Sequence, residues 1–61
     1  MSEYKKKIIE LIKSNLTGYE ISKKTGVSQY VLSQLRQGKR EVDNLTLNTT
    51  EKLYEYANKV L

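Results

Sequence analysis

Gln29, Tyr30, Ser33, Gln34 and Gln37 fall within nine consecutive residues, and none of them is charged. Val31, Leu32 and Leu35 lie among them at i, i+1 and i+4, the spacing of a buried helix side. A helix over this stretch therefore presents amides, hydroxyls and one phenol away from its apolar residues. Such groups donate and accept hydrogen bonds without carrying charge, which suits recognition of a patterned polar surface. Catalysis is a poor match. The chain has no His and no Cys, no paired carboxylates share a core face, and its Ser and Thr residues stand at cap-like or exposed places with no base to activate them. An enzyme is not expected, and neither is a metal site or a cofactor.

The elements that must position this row lie just upstream. Residues 17–38 read TGYEISKKTGVSQYVLSQLRQG. Thr17 and Glu20 have the T-x-x-E spacing of a capping box at the start of a helix. Ile21 points inward one turn before Thr25. Gly26 ends this helix, because a positive φ is required there and glycine adopts it without steric cost. Val27 plugs the corner, Ser28 caps the next helix, and Gly38 follows its last turn, where glycine is favoured. Two short helices about a tight Thr25-Gly26-Val27 turn are the sequence form of a helix-turn-helix. In a basic chain that motif points to sequence-specific DNA binding.

Length and charge agree. Sixty-one residues allow one small domain, residues 1–61, with a marginal core. With no Cys and no His, helix packing and a second subunit are the available sources of stability. No apolar run approaches a membrane span, and Glu10 and Lys13 interrupt the N-terminal apolar stretch that a signal peptide needs. A soluble, cytoplasmic protein is expected, with no membrane partner and no evident small-molecule ligand. The net charge is +4, unevenly placed: residues 1–40 hold nine Lys/Arg and three Glu, whereas residues 41–61 hold two Lys and four Asp/Glu. The positive charge shares the part of the chain that carries the helix-turn-helix, which fits phosphate binding.

An all-α fold of about four short helices follows. The first helix is expected from about Glu3 to Ser14, with Ser2 as its cap and Tyr4, Ile8, Leu11 and Ile12 as its apolar stripe. The second covers about Gly18 to Thr25, with Lys23 and Lys24 favourably placed at its C-terminus. The third covers about Ser28 to Gln37, and residues 38–45 form a connecting loop. The fourth starts near Thr46 or Asn48, both able to cap, and continues to about Val60. Leu47, Leu53, Ala57 and Val60 can face the core, while Tyr54, Tyr56 and Leu61 widen the apolar surface beyond a monomer's needs. A homodimer interface is expected from Leu53, Tyr54, Tyr56, Ala57, Val60 and Leu61.

Gly26-Val27-Ser28-Gln29, then Leu32 and Leu35, then Gly38-Lys39-Arg40 resemble the Cro/C1-type, or XRE, family of helix-turn-helix repressors. Leu45-Thr46-Leu47 followed by Glu51-Lys52-Leu53 looks like that family's fourth helix, so the resemblance covers roughly residues 4–57. Residues 26–56 also resemble the helix-turn-helix domain fused to some staphylococcal anti-CRISPR proteins, where it represses its own operon. The resemblance implies a lambda-repressor-like bundle and a transcriptional repressor of a phage or mobile-element operon. Its double-stranded operator is an inverted repeat, read by placing the third helix in the major groove. The family's base-reading positions match Gln29, Tyr30, Ser33 and Gln34. An amide there can donate to N7 and accept from the N6 amine of adenine. The family's phosphate contacts match Thr17, Gly18, Tyr19, Ser28, Gln37, Lys39 and Arg40. Relatives often carry Gln where Gly18 stands, so contact at that place falls to its backbone N–H. Tyr30 is bulkier than the family's usual residue, and many relatives carry a fifth helix for which this chain ends too early.

A second function class competes with DNA binding. A small protein-binding module (an antitoxin, antirepressor or inhibitor) can use the same surface, and an exposed Tyr30 suits a pocket on a protein partner.

Overall fold

The computed structural model describes residues 2–61. Its order is α1 (Glu3–Lys13), α2 (Gly18–Thr25), α3 (Gln29–Gln37), a 3₁₀ turn (Val42–Asn44) and α4 (Leu47–Val60). The described residues contain no strand, so the fold is an all-α bundle of four helices.

Each α-helix opens on a hydroxyl. Ser2 Oγ accepts from the Lys5 N–H, Thr17 Oγ1 from Glu20, Ser28 Oγ from Tyr30 and Val31, and Thr46 Oγ1 from Thr49. Each cap satisfies N–H groups that the helix cannot, for about 1 kcal/mol. Two helices close on left-handed glycines, Gly26 at φ 79° and Gly38 at φ 78°. Two segments differ from expectation, and the start of α4 is settled between its two expected caps. Helix α1 stops at Lys13, because the Ser14 N–H and hydroxyl both turn back to the Leu11 carbonyl, at 3.1 and 2.6 Å. Thr46 is the cap of α4, and Asn48 lies inside its first turn. The 38–45 segment is not a plain loop: Val42 and Leu45 pack on the core and pull it into the 3₁₀ turn.

Ile8, Leu11 and Ile12 of α1, Ile21 of α2, Val27 of the turn, Leu32 of α3, and Leu53 and Ala57 of α4 form the core. Ile8, Leu11, Ile21, Leu32 and Leu53 are fully buried, each worth about 1.5–3 kcal/mol of apolar transfer. Helix α1 packs chiefly on α4, and α2 on α3. The Tyr4 hydroxyl donates to Thr50 Oγ1 at 3.1 Å, and its ring lies 4.6 Å from that of Tyr54. Thr50 is buried and donates in turn to the Leu47 carbonyl.

This packing corrects the reading of α4. Leu47 is 70% exposed and Val60 42% exposed, so neither is a core residue. Leu53 and Ala57 are fully buried within the chain and cannot meet a second subunit. Tyr54 and Tyr56 pack partly against the chain's own core. Of the expected dimer surface, Val60 and Leu61 remain. Leu47, the other exposed apolar side chain of α4, stands about 20 Å away along the helix.

Candidate nucleic-acid interface

The site is built on the turn between α2 and α3. Thr25 is buried, and its hydroxyl donates to the Ile21 carbonyl at 2.7 Å while accepting from the Val27 N–H at 3.1 Å. One side chain thus closes both strands of the corner. The Gly26 N–H returns to the Ser22 carbonyl at 2.8 Å, and Val27 enters the core. The angle of α3 follows from these contacts.

Helix α3 is held at its far end by Arg36. Its Nε donates to the Ile12 carbonyl at 2.8 Å, and its Nη2 donates to the Leu16 carbonyl. The guanidinium satisfies carbonyls at and beyond the end of α1, where a cation also complements the helix dipole. Arg36 is therefore tied up in structure. The sequence places Thr25 in the turn without showing its hydrogen bonds, and gives no role to Arg36. A lone Arg between Leu35 and Gln37 carries no local signal of carbonyls 20 and 24 residues upstream.

Leu32 is buried and Val31 and Leu35 are half-buried, leaving Gln29, Tyr30, Ser33 and Gln37 exposed. Tyr30 is 67% exposed and forms a ridge with Gln34, which is half-buried. Two shallow grooves of about 290 Å³ each flank the helix. One is lined by Gly18 and Tyr19 of α2 and by Gln29, Ser33 and Gln37 of α3. The other brings Ser28 and Arg40 together with Lys52 of α4. The structure thus gathers the sequence-derived contact residues into one ridge with two flanks. Thr17 stands beside Gly18 as the cap of α2. Lys39 follows Gly38 on the exposed turn, its N–H bonded to the Gln34 carbonyl at 3.0 Å. Lys52 was not anticipated, because its stretch of chain is acidic. Only folding brings it beside α3.

The exposed face has internal hydrogen bonds. Gln34 Nε2 donates to the Tyr30 hydroxyl at 2.9 Å, and Arg40 Nε donates to Gln34 Oε1 at 2.9 Å. Gln37 Nε2 donates to Ser33 Oγ at 2.9 Å. Both ends of the Gln34 amide are occupied, so a bidentate contact to adenine has to compete with two existing bonds. That changes the expectation for Gln34 as a direct reader. Thr17 and Ser28 accept backbone N–H bonds as caps, and their hydroxyl protons stay free to donate.

Along the chain the helix-turn-helix stretch is one-signed from residue 21, with the exposed Glu20 beside Tyr19 and Glu51 beside Lys52. Residues 21–40 carry five Lys/Arg and no Asp or Glu. Among the described residues the one ion pair is Lys5–Asp43, 2.8 Å, which ties α1 to the 3₁₀ turn away from this ridge. A wider groove, about 540 Å³, runs between α1, the end of α3 and the 3₁₀ turn, over Ile9, Ile12, Leu35 and Val42, and shares Arg36 and Arg40 with the flanks of α3. No described helix is long and apolar enough to cross a membrane.

No protein-family model and no curated protein sequence matches this chain.

Proposed function

We infer that this protein is a sequence-specific binder of double-stranded DNA that represses transcription by occupying its operator. One observation carries the reading: an uncharged, hydrogen-bonding ridge on α3 stands between two flanks that supply backbone N–H, hydroxyl and cationic groups, with no carboxylate from residue 21 to 40. A helix with phosphate contacts on both sides is what the major groove requires. In this reading Gln29, Tyr30 and Ser33 face base edges. Gly18, Tyr19 and Thr17 meet one phosphate strand, and Ser28, Lys39, Arg40 and Lys52 the other. The resemblance to Cro/C1-type repressors supports autoregulation of a mobile-element operon, of the kind linked to anti-CRISPR genes.

A single α3 reads few base pairs, too few to define a site among about 10⁶ competitors. Two chains on an inverted repeat double that reading, with half-sites about 34 Å apart. Val60, 42% exposed, and Leu61, 50% exposed, are the apolar surface that supports such pairing.

Selection from a library of randomised duplexes, followed by binding at graded salt, tests the reading. The expected result is an enriched inverted repeat, with log–log salt dependence of about −0.9 per phosphate neutralised. Binding without sequence preference or salt dependence overturns it. That outcome would favour a protein partner, for which the apolar groove over Ile9, Ile12, Leu35 and Val42 is the supporting surface.

A further inference from the structure

The three side chains Arg40, Gln34 and Tyr30 form a hydrogen-bond relay whose direction is set by chemistry. Arginine has donors only, so the end of the Gln34 amide that meets Arg40 Nε must be its carbonyl oxygen. The NH₂ end is then forced toward Tyr30, where it donates to the phenolic oxygen at 2.9 Å. Conjugation with the ring keeps the phenolic proton near the ring plane, with two orientations. The orientation facing Gln34 would put proton against proton. The hydroxyl proton therefore points away from Gln34, toward solvent.

The geometry is not a property of the helix alone. Tyr30 and Gln34 are neighbours at i and i+4. Arg40 lies six residues beyond Gln34 and reaches it because Gly38, at φ 78°, reverses the chain. The Lys39 N–H closes that reversal on the main-chain carbonyl of Gln34 at 3.0 Å. The basic turn after α3 thereby controls the proton of the most exposed aromatic on the ridge.

We propose that Gln34 is a positioning residue that makes Tyr30 a directed hydrogen-bond donor, so that Tyr30 selects against cytosine, the one base without a major-groove acceptor: guanine accepts through O6 or N7, adenine through N7 and thymine through O4. Cytosine N4 presents an amine only and finds no acceptor on the outward side of the hydroxyl. The proposal rests on the DNA-binding reading above. It departs from the expectation that Gln34 itself reads adenine, and it gives Arg40 a second task besides phosphate contact. A phenol read in this way follows from the relay of this chain and not from the helix-turn-helix architecture.

The test has two arms. In the first, side-chain amide resonances of the free protein are recorded by NMR. Tyr30→Phe and Arg40→Ala should each shift the Gln34 NH₂ resonances; unmoved resonances show that the relay does not form, whatever the protein binds. In the second, wild type, Tyr30→Phe, Gln34→Met and Gln34→Glu are each put through selection on randomised duplexes. Wild type should deplete cytosine at one half-site position, and Tyr30→Phe should lose about five- to tenfold discrimination there. Gln34→Met frees the hydroxyl to rotate and should relax the same position while leaving the others intact. Gln34→Glu accepts from both neighbours, turns the phenolic proton inward and should readmit cytosine at that position. Gln34→Met and Tyr30→Phe relaxing different positions, or Gln34→Glu still depleting cytosine, overturns the relay. Wild type enriching no sequence at all overturns the DNA reading instead.

Discussion

Arg36 on α3 donates its Nε to the carbonyl of Ile12 on α1 at 2.8 Å. The one charged residue of α3 is thus a strut between that helix and α1. Its Nη2 also engages Leu16, so a single guanidinium spans the end of α1 and the chain leading to α2.

Arg36→Ala should lower stability by about 1–3 kcal/mol, the range for hydrogen bonds to a charged donor. Arg36→Lys should recover little of it, because one ammonium does not reproduce a planar fork across two carbonyls. Urea melts of both variants give the measurement. A wild-type midpoint for Arg36→Ala would show that the strut carries no stability.

Thr25→Val keeps the shape of a buried side chain but removes both of its hydrogen bonds. The Val27 N–H loses its partner inside the corner, and about 1–3 kcal/mol should go with it. Thr25→Ser should stay close to wild type. Hydrogen exchange at Val27 separates the two, rising for Thr25→Val only.

Gly26 and Gly18 should respond oppositely to alanine. A Cβ meets nothing within 4 Å at either place, so backbone conformation alone decides. Gly26 sits at φ 79°, where an L-residue costs about 1–2 kcal/mol. Gly18 is in the first turn of α2 with ordinary φ, and alanine there should be neutral or stabilising by up to about 1 kcal/mol. Thermal melts showing the same sign for both would contradict this account. Gly26→Val, β-branched at positive φ, should be worse than Gly26→Ala.

Gln29→Ala and Lys39→Ala should separate base reading from phosphate contact. The first should lower preference among duplexes by about 1–3 kcal/mol at one position. The second should weaken all duplexes alike and reduce the salt slope by about one. Neither side chain is buried, so neither variant should change the melt. An exchange of these two phenotypes would reverse the assignments.

Val60→Asp combined with Leu61→Asp should abolish self-association without unfolding the chain, since both side chains are exposed at the end of α4. Sedimentation of the free protein and of its operator complex reads the outcome. A wild-type complex with one chain per operator would remove the dimer from the mechanism.

Much of this protein is legible from short-range chemistry. Ser2, Thr17, Ser28 and Thr46 each cap the helix that follows, and Gly26 and Gly38 adopt the left-handed backbone that their places call for. These features depend on residues within four positions of one another, so the linear sequence contains all their terms. The capping box at Thr17 is legible only by half: the Thr17 hydroxyl accepts from Glu20 N–H, but among the described residues the Glu20 carboxylate accepts no return bond from the Thr17 N–H. An exposed carboxylate is as well served by water.

Side-chain pairings across the chain were not legible in this way. Helical periodicity places Leu53, Ala57 and Val60 on one side of α4, yet Leu53 and Ala57 are buried while Val60 is exposed; Leu47, six residues before Leu53, falls roughly 110° away from that side. Periodicity gives the direction of an apolar stripe, and the length of α1 packed against it decides how much of the stripe is covered. Lys52 joins the α3 flank despite its acidic neighbourhood in the chain, because charge along a sequence is not charge across a surface.

By itself the sequence determined four helices, their caps, the turn between α2 and α3, and the uncharged row on α3. Each of these is a local preference repeated along the chain. The tertiary structure alone decided that Arg36 braces α1 and that Arg40 folds back onto Gln34. It also decided that Leu53 and Ala57 belong to the core and not to a partner. The physical reason is one of range. A cap or a turn is settled by backbone groups a few residues away, whereas a guanidinium finds its acceptor only after the chain has reversed at Gly38 or the helices have docked.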